Sequence, residues 1–164
     1  MKTIARVFLA GASLALMLAT GTVSAAGPGF VDITWMSISN MYYELGQLNI
    51  VTDGYITRLP QDSFFGGGGG LAQTRRSYKP DVAAVTRVMN ALGGPARVNL
   101  LLTGHSHWDH SFDTATWSKL TGARIIGSKT TCLQAQAEGV AVERCRVVEG
   151  REAIPLAEGV TMRV

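Results

Sequence analysis

Apolar and polar positions divide the chain into short elements. Val31 to Ser37 alternates and predicts a strand, and Met41 to Leu45, Gly46-Gln47 and Leu48 to Thr52 predict a hairpin that Asp53-Gly54 closes. Pro80-Asp81 opens a helix whose buried stripe is Val82, Val85, Val88, Met89 and Leu92, ended by Gly93-Gly94. Val98 to Thr103 is a mostly apolar run behind the Gly94-Pro95 turn, which predicts a buried strand. Ser111 to Leu120 reads as a second helix with Gly122 past its end, Ala123 to Gly127 as a strand, and Thr130 to Glu138 as a third helix. Arg144 to Val148, Ala153 to Leu156 and Val160 to Val164 read as short antiparallel strands. Strands mixed with helices over one core predict an α/β layer architecture. Trp117, Phe112 and Leu120 are expected in that core.

The first 26 residues change the picture. Lys2 and Arg6 make a positive start, Val7 to Leu18 an apolar stretch, and Val23-Ser24-Ala25 a small-residue cleavage pattern. These are the parts of a secretory signal peptide, of bacterial style, and predict a periplasmic or secreted protein. The apolar stretch is short for a span of about 30 Å of hydrocarbon, so no membrane attachment is expected after cleavage. Removing Lys2 and Arg6 from the 15 basic residues leaves 13 against 12 acidic. No basic run remains beyond Arg75-Arg76, which argues against nucleic acid as a partner and leaves a small-molecule substrate.

Cys132 and Cys145 are the two thiols, and an oxidising compartment permits a disulfide between them. Two buried free thiols are the alternative, since spacing fixes no geometry. Phe64-Phe65 ahead of Gly66 to Gly70 reads either as an aromatic flap or as a surface insertion.

The chemistry gathers in six residues. His105-Ser106-His107-Trp108-Asp109-His110 holds every histidine of the chain, and imidazoles with a carboxylate are zinc ligands. Gly104 ends the preceding strand, so His105 and His107, two apart in extended chain, project the same way. Asp109 and His110 follow as a helix begins. The spacing therefore predicts two neighbouring metal positions, one served by His105 and His107, the other by Asp109 and His110. Trp108 either lines the pocket or packs on the next helix.

This run, with its strand before and helix after, resembles the His-x-His-x-Asp-His signature of the metallo-β-lactamase fold hydrolases. Ile33-Thr34-Trp35 and the hairpin ending at Asp53 resemble the opening strands of that family, most like its lactonase and phospholipase-like branch. The resemblance implies the N-terminal half of an αβ/βα sandwich, four-layered when complete. It also implies His105 and His107 on a first zinc, Asp109 and His110 on a second, and Asp53 beside the site. The activity implied is hydrolysis of an ester, lactone, amide or phosphodiester by water activated between two zinc ions, with Asp109 orienting that water and taking its proton. Histidine at 107, where the family's diiron oxidoreductases carry glutamate, favours hydrolysis.

The family completes its site with another histidine, a bridging aspartate and a final histidine, and no histidine follows His110 here. Residues 27 to 164 are thus expected to form a truncated domain, inactive alone, with two protein ligands per zinc where a catalytic site has three. The alternative to a hydrolase is a non-catalytic, partner-dependent half-domain that binds metal weakly. Manganese and iron accept the same ligands as zinc.

Overall fold

The computed structural model describes residues 30–59 and 76–164. The expected leader and the glycine-rich segment lie outside them. The strands are β1 Asp32–Trp35, β2 Met41–Leu45, β3 Leu48–Thr52, β4 Leu100–Leu102, β5 Arg124–Gly127, β6 Cys145–Val147, β7 Ala153–Ala157 and β8 Val160–Arg163. The helices are α1 Val82–Ala91, α2 Trp108–Ser111, α3 Thr114–Thr121 and α4 Lys129–Ala137. β1 to β6 form one six-stranded sheet in chain order, and β7 and β8 form a separate hairpin. The fold is α/β, a mixed sheet flanked by helices.

Register explains the sheet's two apolar faces. Tyr42, Val51, Leu101 and Ile125 pair in line from β2 to β5, and all four are buried against the helices. Val85 and Met89 of α1 and Trp117 of α3 close that core. The neighbouring positions, Ile50, Leu100 and Ile126, point to the other face and meet Ile154 of β7. With both faces covered, Leu100-Leu101-Leu102 needs no polar alternation. Trp117 is fully buried, and its Nε1 donates to the Gly54 carbonyl at 2.7 Å. Gly54 has φ +73°, and a Cβ there would stand 2.9 Å from Trp117 Nε1, so glycine is the residue that fits.

Four expectations change. β6 runs parallel to β5, not antiparallel. The connection through α4 returns the chain to the same end of the sheet, as parallel pairing requires. The expected Ser111 to Leu120 helix is divided between α2 and α3, so Asp113 turns inward and Phe112 is only half-buried. Leu120 is half-buried too, packed on the edge of the helix-side core. β1 is an edge strand exposed at every position, with Ile33 and Trp35 both more than half exposed. Trp117 lies in the core as expected. Cys132 and Cys145 are joined in a disulfide, Cα to Cα 5.5 Å, which decides between the two thiol readings.

Candidate metal centre

β4 is a central strand, and its chain leaves the sheet at Thr103-Gly104 toward the histidine loop. The loop residues His105 and His107 are exposed, and α2 begins at Trp108. One ligand atom each from His105, His107 and Asp109 lies within 4.8 Å of the others. Ligand atoms about 2.1 Å from a shared tetrahedral ion stand about 3.4 Å apart, so the three need to draw together by somewhat more than about 1 Å. Two imidazoles and a carboxylate in this arrangement fit a divalent ion of the zinc, iron or manganese kind. The chain therefore carries a candidate metal-binding group at the end of a parallel strand.

His110 is placed differently from the other two histidines. Its Nδ1 donates to Asp53 Oδ2 at 2.8 Å, with Ser39 Oγ more distant at 3.4 Å. That bond leaves Nε2 as the nitrogen with a lone pair for a metal. Nε2 stands 3.7 Å from Asp109 Oδ2. The ring of His110 lies 3.8 Å, centroid to centroid, from that of His105. All four expected ligands are thus brought together, but Asp109 borders both the His105–His107 pair and His110 rather than serving one position. The Asp109 side chain is 41% exposed, against 19% for His110 and 9% for Asp53.

Asp53 is fixed from both sides. It sits at the end of β3 with φ 57°, a left-handed conformation that aspartate tolerates better than most residues. Its Oδ1 accepts the Gly104 N–H at 2.8 Å while Oδ2 holds His110. One carboxylate therefore ties the start of the histidine loop to its end, the placement beside the site that the resemblance implied.

Two supporting residues escaped the sequence reading. Asp113 is fully buried; its Oδ2 accepts the N–H groups of Ile56 (2.7 Å) and Thr57 (2.6 Å), and its Oδ1 accepts the Thr57 hydroxyl (2.7 Å). Burial pushes the Asp113 carboxyl above its ordinary value, against the pull of the Thr57 and Ile56 donors. Asn40, also fully buried, exchanges hydrogen bonds with the Tyr55 backbone in both directions. Together they pin residues 55–57. No local signal separates Asp113 from the other polar residues of the expected Ser111 to Leu120 helix. Trp108 is partly exposed and meets the Tyr55 ring edge-on at 5.5 Å, a packing contact, although on the loop behind β3 rather than the next helix.

A cavity of about 450 Å³ opens beside Asp53 and Gly104, walled by Leu102, Ile126, Val148 and Met162. No imidazole lines it.

No protein-family model matches the chain, and no curated protein sequence does. Solved structures do. The chain is similar to Igni18, a metallo hydrolase from the hyperthermophilic archaeon Ignicoccus hospitalis KIN4/I, with a TM-score of 0.47 and 17% identity over 77% of this chain and 42% of that one. It is also similar to the chemotaxis sensor ODP, solved as a peroxy diiron species, with a TM-score of 0.49 and 16% identity over 84% of this chain and 49% of that one. The chain spans less than half the length of either. Both scores are too low to carry chemistry from those proteins to this one.

Proposed function

We propose that this chain carries the first ligand loop of an exported, metal-dependent hydrolase, with His105, His107, Asp109 and His110 as ligands and zinc as the metal. The observation that carries the reading is the convergence of His105, His107 and Asp109 within 4.8 Å. When bound, a divalent ion acts as a Lewis acid and brings the pKa of water into the neutral range. The chain's own residues do the rest. Asp109, on the exposed side, accepts the proton of the attacking water on Oδ2. Asp53 holds the His110 tautomer. The substrate is a small ester, lactone, amide or phosphodiester whose apolar part lies toward Leu102, Ile126 and Met162. The Cys132–Cys145 disulfide supports an oxidising compartment such as the periplasm.

The test is zinc titration followed by hydrolysis assays with p-nitrophenyl acetate, a simple lactone and bis(p-nitrophenyl) phosphate, on a full-length version in wild-type and His107→Ala form, since residues 27 to 164 are expected to be inactive alone. Zinc-dependent turnover, abolished by chelator and by His107→Ala, supports the proposal. Turnover untouched by either refutes it.

A second reading has an observation of its own. β1 lies exposed at the sheet edge with Ile33 and Trp35 uncovered, which suits a chain that pairs with another and binds metal without catalysis. Zinc binding without turnover, together with a concentration-dependent dimer, would favour it.

A further inference from the structure

Ser106 lies between two of the candidate ligands, and α4 holds it at two points. Gln134 Nε2 donates to the Ser106 carbonyl at 3.1 Å, an oxygen that also accepts the Ser111 hydroxyl at 3.2 Å. The Ser106 hydroxyl pairs with Ser128 Oγ at 3.3 Å. Ser128 is also the N-cap of α4, accepting the Thr131 N–H at 3.1 Å. The first turn of α4 and its Gln134 therefore set where the backbone between His105 and His107 runs.

α4 itself has a thin apolar anchorage, burying only Thr131, Cys132 and Ala135. What fastens it to the sheet is covalent. Cys132 is bonded to Cys145 at the start of β6, opposite Ile125 of β5. Cys132 stands one helical turn from Ser128 and two residues from Gln134, so a shift of α4 on the sheet moves both contacts to Ser106.

We infer that Gln134 is a positioning residue for the metal loop, and that the Cys132–Cys145 disulfide holds it in place so that metal affinity follows the redox state of the pair. The inference rests on the reading of His105, His107 and Asp109 as ligands. Reduction by glutathione breaks the S–S bond and adds two electrons and two protons. It yields two cysteine thiols and one glutathione disulfide. α4 is then free to shift on β5 and β6, and the Ser106 carbonyl loses its Gln134 donor and keeps that of Ser111.

The experiment measures zinc affinity by competition titration. It compares the oxidised chain with Gln134→Met, the C132S/C145S double variant and Gln136→Met, a control about 200° round the same helix. Groups that orient ligands typically change metal affinity about 10- to 100-fold. Gln134→Met and the double variant are each expected to weaken zinc about tenfold, and Gln136→Met to leave it unchanged. Gln134 is exposed, so its variant should melt within about 2 °C of the parent, the small change expected of a surface substitution. By linkage, saturating zinc must also shift the reduction equilibrium of the disulfide in a glutathione buffer by the same factor, a measurement that needs no variant. Unchanged affinity in Gln134→Met and in the double variant, with the wild type binding zinc, overturns the inference and leaves the metal reading standing. No zinc binding by the wild type overturns both.

Discussion

Replacing Asp113 with alanine should be among the most damaging single changes in this chain. The carboxylate is fully buried and is the acceptor for three donors, the N–H groups of Ile56 and Thr57 and the Thr57 hydroxyl. Each buried donor left without a partner costs about 1–3 kcal/mol, and the relieved desolvation of the carboxylate offsets part of the total. The expected loss is about 3–5 kcal/mol, read as a fall in the urea midpoint. Asp113→Asn keeps an acceptor for the backbone donors and should lose roughly half as much. The asparagine variant also isolates the titration. Burial raises the folded-state pKa of Asp113 above its ordinary 3.8. The folded chain therefore binds the proton more tightly than the unfolded chain. This group's contribution is fully present below the unfolded value and is lost as pH rises through the raised folded value. Wild-type stability relative to Asp113→Asn should accordingly decline on going from about pH 3.5 toward neutrality. A loss under about 1 kcal/mol in the alanine variant, or a difference that grows with pH, would refute the account of a desolvated carboxyl clamp.

The ligand and turn residues give further tests. His107→Ala and Asp109→Ala should each lower zinc affinity by about 100-fold or more, since each removes a donor atom, with little change in melting temperature because neither side chain is buried. Asp53→Asn should weaken zinc by about 10- to 100-fold without removing a ligand, because the His110 tautomer loses its charged acceptor; affinity equal to wild type would show that His110 needs no orienting partner. Gly54→Ala should cost about 2–4 kcal/mol in a denaturant melt, from the left-handed backbone and from the crowding of Trp117.

What lies close in sequence was legible in it. The β2–β3 hairpin, α1 and the strand before the histidine loop follow from local periodicity and turn residues, although Val82, expected in the buried stripe of α1, is half exposed and only Val85 and Met89 are buried. The candidate ligand group was legible too, because His105 to His110 are contiguous in the chain. What pairs across the chain was decided by tertiary structure. Asp53 meets His110 and Gly104 because β3 lies parallel beside β4, and no local signal specifies that neighbour. The same holds for Asp113 under Thr57, and for Cys132 opposite Cys145, whose spacing left the disulfide open. Strand direction in β6 and the exposure of β1 belong to the same class. Alternation says which residues share a face, whereas direction depends on where α4 delivers the chain, and burial on whether another element covers that face. Local sequence therefore specified which groups are candidates to bind a metal, and long-range packing specified which groups hold them.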